Sequence, residues 1–120
     1  MDLLHELATP ALVLDGPLVQ RNVRRLAEYS NRVGIKIRPH TKTHKLRPLA
    51  VMQLEAGANG LTAAKVSEAE VISQAGEDLL LAYPPVGPST PVILTLRQPR
   101  QFRIAVGDAS SYTRTASPGR

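Results

Sequence analysis

The chain has 120 residues, enough for one domain with a single hydrophobic core. Aromatic residues make up only 3% of it, so the core must be built from Leu, Ile, Val and Ala, which is typical of parallel strands covered by helices. The absence of cysteine excludes disulfides and thiolate metal sites. Asp2, His5 and Glu6 interrupt any signal-like run, and no stretch approaches the ~20 apolar residues of a membrane span, so we expect a cytoplasmic protein with no membrane partner.

The formal net charge of +5 is unevenly distributed along the chain. Residues 1–85 hold 10 Lys and Arg against 9 Asp and Glu, whereas residues 86–120 hold 5 Arg against Asp108 alone. A nucleic-acid-binding function is therefore an alternative that would depend on the arginines after residue 96. The aromatic residues that single-strand binders interleave with their basic residues are missing, which counts against this alternative.

The first predicted unit is a strand followed by a helix. Residues 11–14 form a short apolar run, read as a strand. Asp15 is a plausible N-cap, Pro17 suits the first helical turn, and Gly34 is placed to end the helix after Val33. The predicted apolar stripe of this helix consists of Leu18, Val23, Leu26 and Val33.

The pattern of strand, helix and glycine then repeats. We predict strands at 35–38, 59–63 and 78–82, and helices at 47–56 and 65–75. In the helix at 65–75, the residues predicted to face inward are Val66, Ala69 and Ile72. Those predicted to face solvent are Glu68, Glu70 and Gln74.

The last third of the chain is less regular. Residues 92–96 fit a helix or a strand, although prolines bracket them closely, and residues 102–106 fit a further strand. Residues 108–120 have no apolar period and are expected to be disordered, which leaves 1–107 as the folded domain.

The strand starts near 35, 59 and 79 are about 20–24 residues apart, the spacing of βα units in a parallel sheet. Periodicity alone allows a doubly wound sheet or part of a (β/α)8 barrel. A complete barrel takes about 200 residues or more, so only about the first four βα units would fit here.

A turn rich in cations follows the strand at 35–38, with the sequence RPHTKTHK at residues 38–45. Lys42 falls just beyond the carboxyl end of that strand, where parallel α/β folds place their active sites. In a partly desolvated pocket, the neighbouring charge of Lys45 would favour a neutral Lys42 amine, a usable nucleophile for Schiff-base formation. By spacing alone, the simpler interpretation is that both lysines are ordinary surface cations.

His40 and His44 are four residues apart, a spacing that suits metal ligands on a helix. Pro39 and the preceding strand argue against a helix, and no third ligand lies nearby, so we predict no metal site in this chain. We expect one histidine to orient a neighbour by hydrogen bonding and the other to pack in the loop.

Three further residues are candidates for the same rim of the sheet. Tyr83 directly follows the strand predicted at 78–82, and it could reach a cofactor ring or phosphate, or could cap the core. Thr62 and Lys65 could touch a cofactor, although a helix N-cap role is the simpler expectation.

Several segments in order resemble the D-threonine aldolase and D-serine dehydratase family, whose N-terminal domain is an alanine-racemase-like barrel. They are 9–15 (TPALVLD), 38–45 (RPHTKTHK), 56–60 (AGANG), 65–70 (KVSEAE) and 78–84 (DLLLAYP). The resemblance covers about residues 8–88, and it implies a parallel partial (β/α)8 TIM barrel of the alanine racemase N-terminal type.

The resemblance also implies a function. Members of this family are pyridoxal 5'-phosphate (PLP)-dependent lyases that act on D-3-hydroxy amino acids. Carried over, Lys42 would be the catalytic lysine that forms the Schiff base with PLP, and His40 and Tyr83 would line the cofactor pocket. The intact family is expected to be homodimeric and to hold a divalent metal in a C-terminal domain.

The family pattern departs near Ser89, where prolines break the expected helix. The resemblance therefore predicts a truncated copy, and it leaves open a non-catalytic PLP-binding module or an inactive fragment.

Overall fold

A computed structural model describes residues 3–84, 90–96 and 101–106 of the chain. After a short 3-10 helix at Leu3–Glu6, helices and strands alternate. The helices are α1 (Gly16–Val33), α2 (Arg47–Glu55), α3 (Val66–Ile72) and α4 (Thr90–Leu96). The strands are β1 (Leu61–Ala63), β2 (Asp78–Leu81) and β3 (Gln101–Ile104).

The three strands form one parallel sheet in the order β1-β2-β3. Leu61 is level with Leu79, and Leu79 with Phe102. A helix lies between each strand and the next along the chain. This is the predicted βα alternation, and it confirms the α/β class with a parallel sheet.

One face of the sheet carries the hydrophobic core. Leu61, Ala63, Leu79 and Leu81 are each at most 1% exposed, and they form a cluster with residues of the helices. The helical members are Ala50, Ala69, Ile72 and Leu96. Because side chains alternate along a strand, the intervening residues of each strand occupy the opposite face.

Two of the predicted strands are not regular strands in the structure. Residues 35–39 have no regular secondary structure, and the following residue, His40, forms an isolated parallel bridge to Thr62. Pro39 accepts a hydrogen bond from the Thr62 N–H but has no N–H of its own, so the ladder is interrupted there. Residues 11–14 lie outside the described sheet, and Leu12 is 91% exposed.

Helix α1 has the predicted ends but a different buried face. The Asp15 carboxylate accepts a hydrogen bond from the Leu18 N–H at 2.9 Å, and Gly34 ends the helix at φ 72°. The stripe through Leu26 was wrong, because Leu26 is 51% exposed. The buried residues are Ala27 and Ser30, and α1 contacts α2.

The later elements agree with the predictions to within a few residues. Residues 92–96, which fitted either a helix or a strand, lie in α4, and the strand predicted at 102–106 is β3. The tail at 108–120 lies outside the described residues.

Candidate functional site

The cationic turn lies at the carboxyl edge of the sheet. His40 is level with Thr62, and Thr62 is level with Leu80 in β2. Lys42 is two residues beyond His40, and Tyr83 is three residues beyond Leu80. The sheet therefore brings the loops that carry Lys42 and Tyr83 to the same edge, as the sequence predicted.

Thr41 fixes the start of the turn to the end of β1. It is fully buried, and its N–H and its hydroxyl both donate to the Thr62 carbonyl, at 2.8 and 3.0 Å. Its own carbonyl accepts a hydrogen bond from the Lys45 N–H at 2.8 Å, which closes the turn around Lys42.

The two lysines of the turn differ in what holds their amines. The Lys45 Nζ lies 3.3 Å from the Glu68 Oε1. The Lys42 side chain is exposed, and within the described part of the chain its amine has no hydrogen-bond or ion-pair partner. The described residues therefore leave the Lys42 side chain open to solvent, and the charge of Lys45 is compensated by Glu68.

Glu68 is a site residue that the sequence pattern misplaced. It was predicted on the solvent face of α3, but it is only 7% exposed. Its Oε2 accepts a hydrogen bond from the Ala64 N–H at 3.0 Å. Burial alone would raise the pKa of Glu68, but the Ala64 hydrogen bond and the Lys45 ammonium outweigh it and lower that pKa below its ordinary value.

A local signal could have identified Glu68. It is the third residue of α3, where a glutamate commonly turns back to accept from a backbone N–H just before the helix. That geometry directs the carboxylate toward the loop after β1, and hence toward the Lys45 ammonium.

The two histidines have similar local roles. The His40 Nδ1 accepts a hydrogen bond from the Lys42 N–H at 3.3 Å, and the His44 Nδ1 accepts one from the Leu46 N–H at 3.0 Å. Each imidazole therefore accepts from the backbone two residues later, so both hold the turn, and not only one as predicted. Within residues 3–84, 90–96 and 101–106, His, Asp and Glu side chains form no group of three or more that could hold a metal ion.

The other rim candidates divide into exposed and buried residues. The Tyr83 side chain is 51% exposed. Thr62 is buried, and its hydroxyl donates to the Arg38 carbonyl at 3.3 Å, so it does not cap α3. Lys65 occupies the N-cap position of α3, but its side chain makes no capping hydrogen bond.

The amino-acid sequence matches the family described as alanine racemase, N-terminal domain, over residues 15–113. The chain belongs to this family.

Relatives of this alanine racemase N-terminal domain confirm the resemblance. D-threo-3-hydroxyaspartate dehydratase of Delftia sp. (strain HT23) is 40% identical over 98 residues, which are 81% of this chain and 26% of that protein. D-threonine aldolase of Arthrobacter sp is 32% identical over 117 residues, which are 96% of this chain and 31% of that protein.

The solved structures agree with the sequences. The crystal structure of D-threonine aldolase from Filomicrobium marinum has a TM-score of 0.86 to this chain at 31% identity, and the match covers 94% of this chain and 31% of that one. The fold is therefore a partial (β/α)8 barrel, and the chain spans between a quarter and a third of the length of these relatives.

A separate ionic cluster lies at the other end of the domain's sheet. Both Asp78 carboxylate oxygens accept from the Arg38 guanidinium, at 2.8 and 2.7 Å, and Arg103 also donates to Asp78. The hydrogen bond from Arg38 lowers the pKa of Asp78, and the charges of both arginines add to that effect against the opposing effect of burial. Because Asp78 and Gln101 begin their strands, this cluster belongs to the amino-terminal face of the barrel, which serves stability.

Arg103 is one of the five arginines that made the last third of the chain basic. Its guanidinium donates to the Asp78 carboxylate, and it donates to the Gln101 side-chain oxygen at 3.1 Å. Arg103 is therefore not a free surface cation. Among the described residues, none of the helices combines the length and apolar character needed to cross a membrane.

Proposed function

We propose that this chain is the cofactor-lysine portion of a PLP-dependent lyase for D-3-hydroxy amino acids, with Lys42 as the residue that attaches PLP. The observation that supports the proposal is the uncommitted amine of Lys42 at the carboxyl edge of the sheet, three residues before a lysine whose amine is bound to Glu68. Of the two amines in the turn, only that of Lys42 can react without first breaking an ion pair.

The residues around Lys42 suit an attached cofactor. Thr41 anchors the backbone on one side, and His40 holds the Lys42 N–H, so the lysine projects from a fixed point on the barrel rim. Tyr83 follows the neighbouring strand with half of its side chain accessible, and it is the described aromatic residue placed to contact a ring at this edge. PLP, when bound, supplies an electron sink for bond breaking beside the substrate's α-carbon.

The names of the relatives point to one substrate class. They are a D-threonine aldolase, a 3-hydroxy-D-aspartate aldolase and a D-serine dehydratase. Their substrates share a D-configured α-carbon and a hydroxyl on the next carbon. The reaction proposed for this chain is accordingly cleavage of the bond between these carbons, or elimination of the hydroxyl.

A second candidate is PLP binding without turnover. The exposure of Lys42 favours it, because an open site admits the water that lyase active sites exclude during the reaction. The two candidates share Lys42 and differ only in whether a D-3-hydroxy amino acid is converted.

Titration of the 120-residue chain with PLP, followed by absorbance, tests both candidates. We expect a new visible band that is lost in Lys42→Ala and kept in Lys36→Ala, a matched exposed-lysine control. Product formation from D-threonine or D-serine would identify the lyase, and a band without product would identify the binding module. An unchanged spectrum, or equal bands in Lys42→Ala and the unmodified chain, would refute the assignment.

A further inference from the structure

Glu68 links the Lys42 turn to the next βα loop of the barrel. One oxygen of its carboxylate accepts from the Ala64 N–H at 3.0 Å, and the other lies 3.3 Å from the Lys45 Nζ. Ala64 directly follows β1, so the Glu68 carboxylate links the end of the turn, at Lys45, to this strand. Thr41 links the start of the turn to the same strand.

Lys45 needs such support because of its backbone conformation. Its φ is 53°, in the left-handed region that residues other than glycine seldom occupy. Two contacts hold it there: its N–H donates to the Thr41 carbonyl at 2.8 Å, and its ammonium is bound to Glu68. Strained residues of this kind persist where the surrounding contacts define them, often beside functional groups.

The Glu68 carboxylate is well placed to provide this support. It is 7% exposed, whereas the Lys45 side chain is 55% exposed, so the buried partner is fixed and the lysine reaches to it. The Ala64 hydrogen bond also orients the carboxylate, independently of Lys45.

We propose that Glu68 is a positioning residue for Lys42, acting through Lys45 to hold the turn in the shape that presents the Lys42 amine at the barrel rim. This inference rests on the proposed function, in which Lys42 attaches PLP. In this proposal Glu68 acts on Lys45 and not on the cofactor.

The test compares Glu68→Gln with Glu70→Gln in the full 120-residue chain. Glutamine at 68 can still accept from the Ala64 N–H but cannot neutralise Lys45. Glu70 lies on the same helix and is exposed, so its variant removes the same charge without touching the turn. Lys45→Gln breaks the same ion pair from its exposed partner, which guards against a folding defect caused by the buried substitution.

Two readouts follow. Amide hydrogen exchange at residue 45 reports how stably the turn is held in the absence of cofactor. We expect this exchange to be about tenfold faster in Glu68→Gln and Lys45→Gln, and unchanged in Glu70→Gln. The apparent Kd for PLP should rise about tenfold in the same two variants, as for other residues that orient a ligating group. A variant that combines Glu68→Gln with Lys45→Gln should show no further rise in exchange rate or Kd, because each single substitution already removes the same ion pair.

Unchanged exchange in Glu68→Gln would overturn the proposal, and so would faster exchange with unchanged PLP affinity. Failure of the unmodified chain to take up PLP would count against the proposed function. The exchange rates alone would then decide whether Glu68 holds the turn.

Discussion

At the scale of single residues, Gly60 makes room for the ionic cluster around Asp78. A methyl group there would lie 2.7 Å from the Asp78 carbonyl oxygen, and it would also collide with the Arg38 guanidinium. Because the carbonyl belongs to β2, the backbone of the sheet would have to shift.

We therefore expect Gly60→Ala to lower the free energy of unfolding by about 2 kcal/mol or more. Urea denaturation followed by circular dichroism measures this value. A loss below about 0.5 kcal/mol, the range of ordinary surface substitutions, would show that Arg38 and the strand yield easily.

Glu68 and Lys45 show which features of single residues the sequence pattern did not predict. Helical periodicity placed Glu68 on the solvent face, because periodicity records only the polarity of the side chain. Its burial is compatible with its charge because the Lys45 ammonium, from another loop, pairs with it. The left-handed conformation of Lys45 could not be predicted either, because no glycine or asparagine stands at that position.

At the scale of elements, α1 shows which features local chemistry determines. The Asp15 cap, the proline near the start and the Gly34 end were predicted correctly, because each depends on residues within one turn. The buried face was predicted wrongly, because it depends on α2. The strand predicted at 11–14 is absent from the described sheet, because a strand forms only where another strand pairs with it, and an apolar run does not specify that partner.

The end of α1 provides a prediction that isolates backbone conformation. Gly34 has φ 72° and open space around its α-carbon. An alanine there would clash with no atom, but its backbone would be strained. We expect Gly34→Ala to cost about 1 kcal/mol, seen as a lower Tm.

Gly16→Ala is the matched control, because that position is equally open and lies in the first turn of the helix. It should leave the Tm unchanged or raise it slightly. Equal losses for the two variants would contradict the assignment of the Gly34 effect to its left-handed backbone.

At the scale of the whole molecule, the ionic contacts that join separate elements predict a response to acid. The pKa of Asp78 and that of Glu68 are both lowered in the folded chain. Each carboxylate therefore contributes stability that is complete above its unfolded pKa of about 4, and that stability is lost as the pH falls through the lowered, folded-state pKa.

Thermal unfolding between about pH 7 and pH 3 should accordingly show a falling Tm below about pH 5. Asp78→Asn should cost about 1–3 kcal/mol at pH 7, because it leaves Arg38 without its bidentate partner, and it should flatten the fall at low pH. An acid response of the same steepness in this variant would mean that Asp78 is not one of the groups responsible.

The identity of the cofactor lysine is tested most directly by borohydride reduction after incubation with PLP, followed by peptide mass spectrometry. The chain has four lysines: Lys36, Lys42, Lys45 and Lys65. We predict that the pyridoxyl mass is found on the peptide containing Lys42, that Lys42→Ala abolishes it, and that Lys36→Ala leaves it unchanged. A label on one of the other three lysines, or on no lysine at all, would contradict the account.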